Sequence, residues 1–255
     1  MKYDYTRQDI ESCLGKIGVA PGDNLFIHSN IGFYGRMEGV KCAADLCEGF
    51  FLALKNVVGP SGTIVLPSFS YSFCHGEVYN PETTGSDCGM LTEYALKQPD
   101  TIRSLDPNFS VVSWGKLAGF YTENASHESF GADSFWARFL GTGGKLVCMN
   151  FDCGSTFVHF AERANNVPYR YNKAFNGIIE LGGGKTLHDY AVHYIFDNER
   201  DYPTFDRLDR KCRETGICKV CDLGRGTMLA IDIRQYYDLI CDSLKENPRF
   251  LTVGE

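Results

Sequence analysis

The sequence predicts an α/β protein: a three-layer α/β/α fold around a central, mostly parallel (mixed) sheet. Three observations carry that expectation. Helical and strand-like stretches alternate through the first 165 residues, the pattern of repeated strand–helix units. The strand candidates at 24–28, 63–66 and 145–151 are short apolar runs bounded by turn residues, which read as buried strands. With 255 residues, 44% of them hydrophobic, the chain can bury a large core. No repeat or low-complexity linker marks a boundary. Residues 1–255 are therefore read as one domain, with a hairpin-bearing C-terminal lobe from about 170 that would make the sheet mixed.

A helix is predicted over 6–18, where Thr6 is placed to cap it, Asp9 stands three residues on, and Ile10, Leu14 and Ile17 form one stripe. Pro21-Gly22-Asp23 turns the chain into the strand over 24–28, which ends in His28-Ser29-Asn30. The next loop, IGFYG at 31–35, includes Gly35 and leaves backbone N–H groups free to approach a ligand; the alternative is an ordinary strand-to-helix loop. A helix over 40–58 follows, then a break at 59–62 and the strand over 63–66. Ser68 and Phe69 close that strand's carboxyl end, where a small hydroxyl can hydrogen-bond a ligand and Phe69 can wall a pocket. The stretch 71–89 has no period, and loops of that length in compact domains are more often functional than idle. It is read as part of the wall of a binding site. A short helix is expected over 89–98. In 103–115, Arg103 is available for a phosphate or as a solvated charge, and Ser110 offers a small hydroxyl. His127 is read as structural, and Ser134 caps a helix over 135–140.

The stretch 145–166, KLVCMNFDCGSTFVHFAERANN, is the centre of the reading. Ser155 or Thr156 sits where an N-cap belongs. His159 and Glu162, three apart, share one face of the helix that follows. Asp152 lies at the strand's carboxyl end, the edge where open α/β sheets bind ligands. A carboxylate beside an imidazole raises its basicity and fixes its tautomer, as a general base requires. The alternative is an incidental surface pair. Beyond 166, runs at 173–181 and 185–196 flank Gly182-Gly183-Gly184 as a hairpin. GGGKT is not a phosphate loop, because Ile stands at position 179 where a Walker A needs Gly. A charged helix over 205–215, a strand around Cys218–Cys221, a connector over 226–230 and an amphipathic helix over 231–245 complete the chain.

DCGSTFVHFAE resembles the D-x-x-x-T-x-x-H-x-A-E signature of the aminoglycoside 3-N-acetyltransferase family, through Asp152, Thr156, His159, Ala161 and Glu162. GDNLFIHSN (22–30), GTIVLPSF (62–69), RSLDPNFSVVSWG (103–115) and the His127…Gly131…Ser134…Arg138 run resemble the family in the same order. The resemblance covers roughly 5–170 well and the last third weakly. It implies the same α/β architecture and acyl transfer from acetyl-coenzyme A, or another acyl-coenzyme A, to a primary amine of an amino sugar. It places the coenzyme on the 31–35 loop, with His28, Ser29, Gly35, Ser68, Phe69, Arg103 and Ser110 as its contacts. One departure stands out: the family usually carries His-Pro where this chain has Asp106-Pro107, which puts a carboxylate near the expected cofactor channel.

Net charge −7 and pI about 5.4 argue against nucleic acid or an anionic membrane surface as the main partner. No leader-like n- and h-region opens the chain and no 18-residue apolar run occurs, so a cytoplasmic protein is expected. Eleven cysteines then read as reduced thiols, with neither disulfide nor zinc required. The expected partners are an acyl-coenzyme A and a small amine, with a homo-oligomer left open. Catalysis would use His159 as base, titrating near neutrality, Glu162 to orient it, and Asp152 to hold the acceptor's ammonium or hydroxyls. Attack would be direct, since nothing basic flanks Cys153. Aromatic residues between 69 and 79, with Arg163, Arg170 and Lys173, tilt the acceptor towards a nucleotide-linked amino sugar. The alternatives are an aminoglycoside, as in antibiotic resistance, or a non-catalytic coenzyme A-binding protein.

Overall fold

Alternate residues along the central strands face opposite ways, and both sets are buried. The computed structural model describes residues 2–253. Leu25, Ile27, Ile64, Leu66, Val147 and Met149 pack into one core cluster, while Phe26, Val65, Leu146 and Cys148 pack into another. A sheet buried on both faces reads as continuous apolar runs, and helices cover each side.

The chain runs α1 (Arg7–Lys16), β1 (Asn24–Ser29), α2 (Ala43–Val58), β2 (Thr63–Pro67) and α3 (Met90–Ala95). Then come β3 (Ile102–Arg103), β4 (Val111–Gly115), α4 (Ala118–Thr122), α5 (Phe135–Thr142), β5 (Lys145–Met149) and α6 (Val158–Ala164). β6 (Arg170–Leu181) and β7 (Lys185–Phe196) form the hairpin. β8 (Tyr202–Pro203), α7 (Asp206–Glu214), β9 (Cys218–Leu223), β10 (Gly226–Asp232), α8 (Ile233–Glu246) and β11 (Thr252–Val253) follow. α1 to α3 bury their apolar faces in the first cluster; α5 to α8 bury theirs in the second. Thr6 caps α1 as its sequence implies, accepting from the Asp9 N–H at 3.2 Å while Asp9 Oδ2 accepts from the Thr6 N–H at 2.8 Å.

The seven-stranded sheet has the order β3-β4-β2-β1-β5-β10-β9. The three-layer α/β arrangement and the mixed sheet are as expected, but the parallel share is smaller. Only β2–β1 and β1–β5 pair in parallel; the other four pairings are antiparallel. Two features account for this. After α3, β3 turns back without a helix into β4, which pairs antiparallel with both β3 and β2. The supposed connector over 226–230 is β10, which pairs with β5 by returning from β9 through a two-residue loop. The β6–β7 hairpin, expected to join the sheet, forms a two-stranded sheet of its own in a twelve-residue register. It leans on the 71–89 stretch through the Tyr79–Ile179 bridge and a small cluster of Phe73, Tyr79, Ile179 and Ala191. No helix among the described residues is long and apolar enough to cross a membrane.

Because β1 is central and its neighbours are parallel, the carboxyl ends of β1, β2 and β5 open at one edge. Phe26 anchors that edge from beneath: it is 1% exposed and contacts Phe135, Trp136, Phe139 and the ring of His28. Phe26→Ala should lower the free energy of unfolding by about 3–5 kcal/mol in chemical denaturation, the usual cost of emptying an aromatic core site.

Candidate active site

β5 ends at Met149, and Asn150 turns the chain with φ +55°. Asn tolerates that left-handed backbone better than most residues. Its side chain accepts from the Thr227 N–H at 3.0 Å and donates to the Asn30 carbonyl at 3.3 Å, tying together the ends of β1, β5 and β10. The loop beyond is held from behind: the Cys153 N–H donates to Asp209 Oδ1 at 3.0 Å, and the Tyr236 hydroxyl donates to the Cys153 carbonyl. Ser155 does not cap α6 as expected. The helix begins at Val158 with no side-chain cap bond, and Ser155 Oγ instead accepts from the Phe157 N–H at 3.3 Å and meets His28 Nε2 at 2.9 Å.

α6 carries the pair its spacing predicts. His159 Nδ1 lies 2.6 Å from Glu162 Oε2, with side-chain exposures of 17% and 1%. An ionised carboxylate only accepts, so Nδ1 carries the proton and Nε2 keeps its lone pair. Glu162 has two more partners. The Tyr169 hydroxyl donates to Oε1 at 2.6 Å, and Arg170 Nε lies 2.9 Å from Oε2, an ion pair whose angle falls short of a hydrogen bond. Burial pushes the Glu162 carboxyl up, but the charge and hydrogen bond of His159, with Arg170 and Tyr169, outweigh it and hold it below the usual range. Burial pushes His159 below its ordinary 6.5, and Arg170 adds to the effect; the opposing pull of Glu162 is smaller. Against the expected base titrating near neutrality, the shift is towards the acid side of 6.5.

The edge of the sheet forms a cleft of about 450 Å³, within the range of small-molecule sites. His28, Ser29 and Phe69 line it as the sequence suggested, joined by Tyr71, Phe151 and Thr156. His159 stands three residues beyond Thr156. Asp152 is exposed at the end of β5, with Oδ1 accepting from the Gly154 N–H at 2.7 Å.

Four expected contacts are arranged otherwise. Ser68 and Ser110 are fully buried and bonded to each other, Ser110 Oγ donating to the Ser68 carbonyl at 2.6 Å. Arg103 donates to the carbonyls of Ser68, Gly85 and Thr84 and from Nε to Ser110 Oγ, so its guanidinium holds the 68–85 loop rather than facing a phosphate. Gly35, with φ +90°, backs onto Asp4 and Arg225 on the N-terminal side. Asp106, expected near the cofactor channel, is buried and accepts the N–H groups of Asn108 and Phe109 at 2.9 and 2.8 Å, which closes the loop before β4.

His193 is a site neighbour that the sequence reading does not single out. On β7 it faces inward, while His188, five residues away, falls on the opposite, exposed face. Its ring sits against Phe109 at 4.6 Å, with Cys74 Sγ 3.8 Å from Nδ1, and it lies close enough to His159 to feel that residue's charge. Period-two alternation along β7 is the available signal. The cysteines are all free. Cys218 and Cys221 lie on opposite faces of β9, one against each core cluster, so the C-x-x-C spacing makes no site. Cys153 is held far above its ordinary range by the neighbouring Cys212 thiol and by burial, so it stays protonated.

A family model described as aminoglycoside 3-N-acetyltransferase matches residues 26–245. The chain belongs to the aminoglycoside 3-N-acetyltransferase family. It is an acyl-coenzyme A-dependent N-acyltransferase. Aminoglycoside N(3)-acetyltransferase III of Salmonella sp is 28% identical over 219 residues, covering 76% of this chain and 74% of that relative. Solved aminoglycoside 3-N-acetyltransferases share the fold. The structure of AAC-IIIb with CoASH superposes with a TM-score of 0.81 at 20% identity, covering 95% of this chain and 97% of that one. A mutant of AAC(3)-IVa in complex with apramycin gives 0.78 at 24%, covering 98% and 96%.

Three histidines along this site are held neutral. Burial brings His28 down to about 4 and His193 to about 3, and His159 also lies below 6.5. The unfolded chain takes up protons on these groups near pH 6.5, while the folded protein does not. Stability contributed by the neutral rings is therefore present above that pH and lost as pH falls from 6.5 towards 4. The slope should be about 1.4 kcal/mol per pH unit for each of His28 and His193. Urea titrations across this window check it, and His193→Phe should make the curve shallower by one such contribution.

Proposed function

We propose that this enzyme transfers an acetyl group from acetyl-coenzyme A to an amine of an aminoglycoside, with His159 as general base. The observation that carries the reading is the buried His159–Glu162 pair, which leaves a basic Nε2 one helical turn beyond the cleft-lining Thr156. The residues of the cleft suit the thioester end of the coenzyme: Phe69 and Phe151 offer apolar walls, and Ser29 and Thr156 offer hydroxyls. His159 takes a proton from the acceptor nitrogen as it attacks the thioester carbonyl. The C–N bond forms, the C–S bond breaks, and the imidazolium returns its proton to the departing thiolate. Glu162 stabilises the imidazolium in between. Such a base contributes about 10²–10⁴-fold, or roughly 3–5 kcal/mol of barrier.

The acceptor reading follows the names of the relatives and two features of the site. Asp87 and Asp152, both exposed at this edge, supply negative charge for a polycation. The cations suited by type to a nucleotide's diphosphate are engaged elsewhere: Arg163 pairs with Glu128 at 2.6 Å, Arg170 with Glu162, and Lys173 lies over Phe175. The aromatic residues of the 69–79 stretch are largely packing, since Phe69, Phe73 and Tyr79 are 5% exposed or less. The tilt towards a nucleotide-linked sugar loses its basis, and the aminoglycoside alternative is favoured. An idle coenzyme-binding protein would have no need of a buried carboxylate on an imidazole.

Acetyl-coenzyme A turnover, followed by free thiol release, should occur with aminoglycosides and not with nucleotide-linked amino sugars; the reverse preference would overturn the acceptor reading. His159→Asn should lower turnover by about two to four decades with coenzyme A affinity nearly unchanged. Glu162→Gln should cost less, and the double variant should be little worse than His159→Asn.

A further inference from the structure

We propose that Arg170 is a positioning residue for the catalytic pair: from the base of the hairpin it locks Glu162 and offsets its charge, so that His159 stands as a free neutral base rather than half of an ion pair. The inference rests on His159 as the base. The geometry is that of a closed cluster. Arg170 Nε is 2.9 Å from the same Glu162 oxygen that His159 Nδ1 meets at 2.6 Å, and the two side chains are 4% and 1% exposed. The guanidinium has little freedom to leave. Its Nη1 donates to the Tyr194 carbonyl at 3.0 Å on β7, and its Cζ lies 3.7 Å from the Phe196 ring centroid.

The groups facing His159 can be counted from each element. Glu162 faces it from α6, Arg170 from β6, and His193 from β7; the Tyr169 hydroxyl donates to Glu162 from the connector, Tyr194 on β7 feels the charge of Glu162 without bonding it, and Phe130 presents an uncharged edge. Arg163 is turned away to Glu128. With His193 neutral, Glu162 and Arg170 sum to zero, and protonating His159 would leave a buried net charge. Without Arg170 the same protonation would turn a buried lone anion into a neutral pair, which low-dielectric surroundings favour. The direction of the His159 shift, with Arg170 among its causes, agrees. The base would then be lost at neutral pH because it is held as imidazolium.

Histidine side-chain NMR titration of the full chain, with His159 assigned by its absence in His159→Asn, tests this alongside the pH dependence of kcat/KM. In Arg170→Met the His159 titration should rise by about one unit or more. The acidic limb should move up with it, so that activity lost near pH 6–7 partly returns at higher pH. Arg170→Lys should keep the limb where it is. A uniform loss across pH with the His159 titration unmoved would mean a merely structural residue and overturns the proposal. Should Arg170→Met fail to fold, the intact enzyme decides: His159 titrating at or above 6.5 overturns it, and below 6.5 supports it. A shift by NMR without a matching shift in the limb supports the hold of Arg170 and counts against His159 as the base.

Discussion

An ionised carboxylate with no exposure is costly to bury, by several kcal/mol, unless charge and hydrogen bonds surround it. Glu162 is such a group, and the surrounding chain is arranged to satisfy it. Its partners come from three directions: His159 on its own helix, Tyr169 from the connector, and Arg170 from the start of the hairpin. Arg170 in turn is held by Tyr194 and Phe196 at the far end of β7. The helix, the connector and both hairpin strands must therefore converge before the imidazole is fixed. The same convergence brings β7 and His193 close to His159 and to Tyr71 of the cleft. A structural requirement of one buried charge thus shapes the site around it.

Three half-buried imidazoles share this region, and their partners divide their roles. His28 meets the Ser155 hydroxyl, and His193 lies near the Cys74 thiol. Neither partner stabilises an imidazolium, and burial leaves both rings neutral down to acid pH. Only His159 has a carboxylate, so only there is a transient positive charge supported. A base must do more than sit in a cleft; something must stabilise it once it has taken the proton.

Much of this was legible in the sequence, and the failures share a cause. The helix over 6–18 and the strand leading to Asp152 rest on local pattern, and local pattern placed the His159–Glu162 pair. The direction of a side chain after folding is not local. Ser68, Arg103 and Ser110 have residue types that suit a cofactor, yet they satisfy one another and nearby carbonyls. Asp106 looks from the sequence like a change in the channel and is a loop closure. Arg170 is legible only as a cation, because its partner is set by the packing of the hairpin on α6. The glycine at 226 and the brevity of the run disguise β10, whose strand character comes from lying between β5 and β9.

The place of β10 has a consequence for how the chain is made. β5, which leads to the catalytic loop, pairs with β1 on one side and with a strand encoded some eighty residues later on the other. Until residues 226–232 leave the ribosome, the nascent sheet ends in an open apolar edge, the kind that invites pairing with other chains. A fragment cut after the hairpin would retain His159, Glu162 and Arg170, yet lack the strand that closes β5 and the helices that brace Cys153. The chemistry is encoded in the middle of the chain, while the scaffold that seals its edge and holds it rigid is completed only by the last third.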